Sequence, residues 1–145
     1  MIDYLKATQA AIMDILGTAY NVHVQASGDN ACVDLRDPYN LRVYLPEVPN
    51  GVLNRYQADT FTGYWLHESL HGKYTDGQCV IDAQIEGVAD WFNSLEDCRI
   101  ELLAHKENIA ANLLDCLARV RNHRFQTYSN QDMQTMLTDD MIQHE

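Results

Sequence analysis

One change of hydrophobic period divides this chain into two parts. Between residues 22 and 45, apolar residues alternate with polar ones in short segments bounded by Gly, Pro, Asn and Asp, which is typical of strands. After Gly51, apolar residues recur at three- and four-residue spacing, which is typical of amphipathic helices. The sequence therefore predicts the α+β class, with a small sheet followed by packed helices.

The same periodicity predicts the individual elements. We expect a helix over residues 3–16, three strands near residues 22–25, 31–35 and 41–45, and helices over residues 56–71, 80–106 and 109–120. The short connections between strands favour an antiparallel meander, although a mixed sheet satisfies the same pattern. Gly72 is expected to end the helix before it. The tail, from about residue 122 to residue 145, is expected to be weakly ordered.

Composition excludes several classes of protein. A length of 145 residues fits a single domain over residues 1–145. The net charge of −11 argues against nucleic acid or an anionic membrane as a partner. No apolar run is long enough to span a bilayer. The four cysteines are far apart, so we expect free, largely buried thiols in a cytoplasmic protein.

The chemistry is concentrated in residues 67–71, which read H-E-x-x-H. On a helix, His67 and His71 lie on one face, where both imidazoles can bind a single divalent ion. Glu68 can then act as general base toward a water molecule on that ion. Zinc is the expected metal for two imidazoles, one carboxylate and an open position.

A third ligand is expected from a carboxylate further along the chain. The candidates are Asp97, Glu96 and Glu86, and the residues alone leave all three open. Glu86 shares an i, i+4 face with Asp90 in the predicted long helix. Glu96 is expected on a buried face, where its charge needs a metal or Arg99 as a partner.

Two runs of residues resemble one known family. Residues 67–76, H-E-S-L-H-G-K-Y-T-D, resemble the H-E-S-x-H-x-x-Y-T-D run of CobT-like proteins. Residues 93–101, N-S-L-E-D-C-R-I-E, resemble their N-x-L-E-D-x-R-I-E run. CobT-like proteins, many of them phage-encoded or bacterial, are labelled as cobaltochelatase subunits or as metallopeptidase-like partners of von Willebrand A domains.

The resemblance implies a zincin-like fold of the gluzincin type. Its elements would be an N-terminal helix, a three-stranded sheet, the H-E-x-x-H helix, a long second helix with the third ligand, and C-terminal helices. The implied site residues are the ligands His67 and His71, the base Glu68, the ligand pair Glu96 and Asp97, and the supporting residues Arg99, Glu101 and Asp76. CobT-like proteins usually continue into a von Willebrand A domain. The 145 residues contain no such segment, so we expect a stand-alone version or a part of a longer protein.

Two functions follow as hypotheses. The first is a zinc metallopeptidase that hydrolyses a peptide or protein substrate, with Tyr74, Arg99, His105 or His123 as donor to the developing oxyanion. The second is a non-catalytic, metal-stabilised interaction module that acts with an ATPase or a von Willebrand A partner. Cobalt chelation follows from the family label alone.

Overall fold

The structure is a computed structural model that describes residues 2–17, 21–26, 31–37, 39–47, 54–111 and 114–122. Its elements, in chain order, are α1 (Ile2–Leu16), β1 (Asn21–Ala26), β2 (Cys32–Asp34), β3 (Asn40–Leu45), α2 (Arg55–Tyr74), α3 (Gly77–Ile85) and α4 (Ala89–Lys106). A further helix, α5, covers residues 114–122. The predicted α+β class is confirmed, whereas the predicted weak order of the tail concerns residues outside the described part.

The three strands form a mixed sheet with β3 in the centre. β1 pairs with β3 in parallel, from Asn21 opposite Asn40 to Ala26 opposite Leu45. β2 pairs antiparallel with the other side of β3. The simple antiparallel meander is therefore wrong. The thirteen residues between Ala26 and Asn40 are enough for a return to a parallel strand, and they include β2 itself.

The hydrophobic core lies between the sheet and the helices. Strand β3 alternates strictly, with Leu41, Val43 and Leu45 buried and their neighbours more exposed. Helix α1 covers this sheet through Ile12 and Leu16. The core is completed from the other helices by Trp65, Leu66, Leu70, Ile100, Ala104 and Leu117. Helix α2 is thus fixed against the sheet along the stretch that contains the two histidines.

Helix α2 begins and ends differently from the prediction. It begins after Asn54. The Asn54 side chain accepts a hydrogen bond from the backbone N–H of Gln57, and the Gln57 side chain accepts one from the backbone N–H of Asn54. It continues through Gly72 to Tyr74. A Cβ at Gly72 would lie 3.0 Å from Leu41 Cδ1, so this glycine allows close packing on the sheet and is not a helix stop.

The predicted long helix over residues 80–106 is two helices. Gly87 has a φ of 74°, which glycine adopts without steric cost, and it separates α3 from α4. Asp76 begins α3 as its N-cap, with its side chain accepting from the Gln78 amide. The break changes which residues face inward. Four apolar residues that one continuous helix would place near a common face, Ile81, Ile85, Val88 and Leu95, are exposed.

The predicted helix over residues 109–120 is also shorter than expected. Asn108 and Ala110 have positive φ values of 57° and 47°, so the backbone turns between α4 and α5. The cysteines are free as predicted, but three of them are exposed and Cys116 alone is buried. None of the helices in the described part of the chain combines the length and apolarity needed to cross a bilayer.

Helix α5 packs on α2 at a glycine. A Cβ built at Gly63 would lie 2.4 Å from the carbonyl oxygen of Cys116 and 2.4 Å from Val120 Cγ2. Because one of these atoms belongs to the backbone, a larger side chain would displace α5.

Substitution Gly63→Ala should destabilise the fold by about 1–3 kcal/mol, in spite of the better helix propensity of alanine. Gly72→Ala is the matched control in the same helix, because its Cβ would meet the movable end of a leucine side chain. Urea unfolding measures both changes. Equal stability of Gly63→Ala and the natural chain would show that the two helices do not approach as described.

Candidate metal centre

Two histidines of α2 and one aspartate of α4 form a cluster of possible metal ligands. The spacing of four residues places His67 and His71 on one face of α2, with their rings edge to face at 4.7 Å between centroids. His71 Nε2 lies 3.2 Å from His67 Nε2 and 3.0 Å from Asp97 Oδ1. His67 Nε2 lies 3.4 Å from the same oxygen. This group can hold a metal ion.

The cluster lies in the wall of an open cavity of about 1370 Å³. Glu68 lines the same cavity beside His67 and is only 5% exposed. Strand β2, at the edge of the sheet, forms part of another wall through Cys32 and Val33. A molecule in the cavity can therefore contact the histidines, Glu68 and the edge strand together.

The structure separates the three candidates for the acidic ligand. Asp97 is the one that it brings to the histidines. Glu96 is buried as expected, but both of its oxygens accept hydrogen bonds from Arg99, at 2.6 and 2.8 Å. Glu86 is exposed at the C-cap of α3. The break at Gly87 removes the single helical face that Glu86 was predicted to share with Asp90.

A chain of hydrogen bonds fixes the proton of His71. The Thr75 hydroxyl donates to Glu96 Oε1 at 2.7 Å. Thr75 Oγ1 has one proton, so toward His71 Nδ1, at 2.9 Å, it accepts. The neutral ring of His71 therefore has its proton on Nδ1 and a lone pair on Nε2, the atom that faces Asp97.

This proton assignment has a direct electrostatic consequence. The lone pair of His71 Nε2, the lone pairs of Asp97 Oδ1 and the Nε2 atom of His67 converge within 3.4 Å. Lone pairs at this distance repel one another unless a proton or a metal cation lies among them. The donor set is therefore chemically suited to a cation, which satisfies all three atoms at once.

His67 has an acidic neighbour on its other side. Its Nδ1 atom lies 3.8 Å from Glu101 Oε1, and Arg121 of α5 pairs with Glu101 at 2.5 Å. A carboxylate near Nδ1 favours the tautomer whose Nε2 atom is free to bind a metal. A carboxylate held by an arginine thus lies near each histidine: Glu96, with Arg99, reaches His71 through Thr75, and Glu101, with Arg121, lies beside His67.

The ionisation of the acidic groups follows from these contacts. Burial opposes ionisation of Asp97, but a proton that His67 or His71 places beside Oδ1 when no metal is there outweighs it, and the pKa of this carboxyl lies well below its usual value. Hydrogen bonds from Arg99 likewise lower the pKa of Glu96. Both carboxyl groups are therefore anions at neutral pH, and Asp97 is available as a ligand.

Some predicted roles fall on other residues. Thr75 bonds with His71 although it is not among the predicted site residues, whereas Asp76, predicted as a supporting residue, is the N-cap of α3. Among the donors considered for an oxyanion, His105 lines the cavity, while Tyr74 donates to Glu107 at 2.6 Å and Arg99 is bound to Glu96. His123 lies outside the described residues.

Tyr74 provides a pH test of the contact between the ends of α2 and α4. Burial and the bond to Glu107 raise the pKa of its hydroxyl to about 12. Because this value lies above that of an unfolded tyrosine, the contact stabilises the fold fully below about pH 10, and the stabilisation is lost as the pH rises toward 12.

We expect the stability difference between the natural chain and Tyr74→Phe to shrink over that interval. Denaturant unfolding at several pH values measures it, and absorbance titration near 295 nm follows the tyrosines directly. The same alkaline profile for both chains would contradict the contact.

Comparison with known proteins identifies no family for this chain. No family model, no curated protein and no solved structure matches the chain. The description of the site therefore depends on the residues and distances of this chain alone.

Proposed function

We propose that the chain is a zinc-dependent peptide hydrolase in which His67, His71 and Asp97 hold the metal and Glu68 is the general base. The observation that supports this proposal most strongly is the position of the three ligand atoms beside Glu68 in the wall of an open cavity.

The separations of the ligand atoms support zinc. Ligands at 2.0–2.1 Å around a tetrahedral zinc ion lie roughly 3.3–3.4 Å from one another. The three separations here are 3.0, 3.2 and 3.4 Å. Two imidazoles and one carboxylate are also a donor set that zinc enzymes use, with a further position open to the solvent side.

The open cavity supports catalysis more than a structural role. A structural zinc site is usually closed by four protein ligands, whereas a catalytic site keeps a position for water or substrate. Among the described residues, the cluster contains three ligands and faces the cavity. We therefore keep as the second hypothesis a non-catalytic module that acts with an ATPase or a von Willebrand A partner.

The chain's own residues account for the proton transfers. When bound, zinc supplies a Lewis acid that polarises a peptide carbonyl and acidifies a water molecule. Glu68 accepts a proton from the attacking water and later gives it to the leaving amine, so that the peptide bond is replaced by a carboxylate and an amine. His105, in the same cavity wall, is the donor that we assign to the developing oxyanion.

The dimensions of the site support a peptide as the substrate. The cavity, at about 1370 Å³, is larger than the roughly 300–1,000 Å³ of sites for small molecules. Strand β2 is an edge strand, and an extended peptide can add to such an edge through main-chain hydrogen bonds.

We also infer a reducing compartment, the cytoplasm, as the place of action. Four free cysteines support this location, because exposed thiols persist where glutathione and thioredoxin keep them reduced.

Metal binding is the first test. We expect one zinc ion per chain, removed by EDTA, and thermal stabilisation that grows with zinc concentration, by about 2.7 kcal/mol at a hundred times the dissociation constant. Asp97→Ala should abolish this stabilisation. The matched control is Glu86→Ala, an exposed acid that should leave zinc binding unchanged. An equal response of both variants would contradict the assigned ligand.

Catalysis is tested with Glu68→Gln. This variant should keep its zinc and lose at least a hundredfold of the rate of peptide cleavage, because the general base is removed. Cleavage of a mixed peptide library is followed by mass spectrometry. If the zinc-loaded natural chain cleaves no member, or if Glu68→Gln cleaves equally well, the hydrolase proposal is wrong.

The role of Thr75 is tested separately. Thr75→Val keeps the shape of the side chain but removes the link between His71 and Glu96, so zinc affinity should fall about 10- to 100-fold. Thr75→Ser keeps the hydroxyl and should keep most of the affinity. Competition with a fluorescent chelator gives both values, and an unchanged affinity of Thr75→Val would show that the link does not orient His71.

A further inference from the structure

Helix α4 exposes an apolar stripe, which we define as Trp91, Leu95, Cys98 and Leu102. These residues are spaced by four, three and four, so they lie on one side of the helix. Trp91 is 76% exposed, Leu95 70% and Leu102 69%. The opposite side of the same helix is buried through Ile100. Helix α4 is therefore apolar on two sides, and the described part of the protein covers only one of them.

The apolar surface continues at the turn before α4. Ile85 is 77% exposed and Val88 46% exposed, and both lie within six residues of Trp91. Single exposed apolar residues are ordinary, whereas a contiguous apolar patch of several hundred Å² marks a contact site on most proteins that have one. Tryptophan is enriched among the residues that contribute most to binding, and helix recognition uses anchors spaced by three and four residues.

The charge beside the N-terminal half of the stripe is negative, whereas at the other half Arg121 lines the same cavity as Cys98 and Leu102. Between Lys73 and Arg99 the chain contains six acidic residues and no Lys or Arg. Among these acids, Asp82, Glu86 and Asp90 are exposed next to the apolar surface. Arg99 does not offset them, because its guanidinium is bound to Glu96. Lys106 lies at the far end of α4.

The charge opposes two of the occupants that the surface could have. A second copy of the chain has the same net charge of −11. The C-terminal segment, residues 123–145, has four acidic residues and one arginine, so its net charge is negative as well. A complementary occupant has apolar side chains on one face and Lys or Arg beside them.

We propose that the α4 stripe is a docking surface for a basic amphipathic helix of a partner protein. Apolar residues of that helix pack on Trp91, Leu95 and Leu102, and its basic residues lie beside Asp90 and Glu86. None of these five residues belongs to the metal cluster. Leu102 and Asp90 also line the cavity of the proposed active site, whereas Trp91 and Leu95 do not, so Trp91 and Leu95 are the residues at which the docking is tested. Its tests use the metal-free chain and separate the two proposals.

The two tryptophans make the docking measurable. Trp65 is 7% exposed and Trp91 is 76% exposed. Because an exposed tryptophan emits at longer wavelength and is accessible to a dissolved quencher, the long-wavelength emission and its quenching by acrylamide come from Trp91. The probe is an 18-residue synthetic peptide of Leu and Lys in an amphipathic helical pattern. On its addition, we expect the emission to shift to shorter wavelength and the acrylamide quenching to fall at least twofold.

Variants and a control peptide identify the contact. Leu95→Gln should weaken binding of the probe at least tenfold, and it should fold normally because the side chain is exposed. Tyr56→Gln removes another exposed apolar side chain, at the start of α2, and should leave binding unchanged. A peptide of Leu and Glu in the same pattern should bind at least tenfold more weakly than the Leu and Lys peptide.

Three results would overturn this inference. One is equal binding of the Leu and Lys peptide and the Leu and Glu peptide, which would show that charge does not select the partner. Another is unchanged binding by Leu95→Gln. The third is protection of Trp91 from acrylamide in the chain without peptide. Sedimentation velocity would then distinguish a dimer contact from coverage of the stripe by the chain's own C-terminal segment.

Discussion

The structure depends on one electrostatic constraint, the convergence of three electron-rich atoms between α2 and α4. His67 Nε2, His71 Nε2 and Asp97 Oδ1 approach to within 3.4 Å, and this arrangement is stable only with a positive charge among them. The surrounding protein resists their separation. The α2 helix is packed on the sheet through Leu66 and Leu70, and α4 is packed through Ile100 and Ala104. The core therefore fixes the distance at which the ligands meet.

The same constraint explains why so much charge is buried around the histidines. Glu96 is 7% exposed, and an unpaired carboxylate at such a position would be strongly destabilising. Its two hydrogen bonds to Arg99 and one from Thr75 satisfy the oxygens. The adjacent Asp97 has no arginine partner in the described structure and relies on the histidines. Neighbouring acids on one helix turn thus have different partners and different chemistry.

Part of this site could be predicted from the sequence. The spacing of His67 and His71 fixes their common face once the helix forms, whatever the rest of the fold does. The choice between Glu96 and Asp97 could not be made, because adjacent residues on a helix point about 100° apart and only the packing of α4 decides which one faces α2. The only signal for Thr75 was its place in the run of residues 67–76, since a threonine after a helix is otherwise ordinary.

Two of the wrong helix boundaries have a common source, the glycines in helical segments. Gly72 allows α2 to approach the sheet and lets the helix continue, whereas Gly87 has a positive φ and ends one helix before the next. Sequence alone does not distinguish these cases. A hydrophobic period continued through Gly87 groups Ile85 and Leu95 on one apolar helix face, although both are exposed in the structure.

The mixed sheet also bears on how this chain folds. The antiparallel pairs between β2 and β3 join residues eight to twelve positions apart, from Asp34 with Arg42 to Cys32 with Tyr44. The parallel pairs between β1 and β3 join residues nineteen positions apart, as Asn21 with Asn40. Shorter loops lose less chain entropy on closure. We therefore expect the β2–β3 hairpin to form before β1 pairs with the free edge of β3.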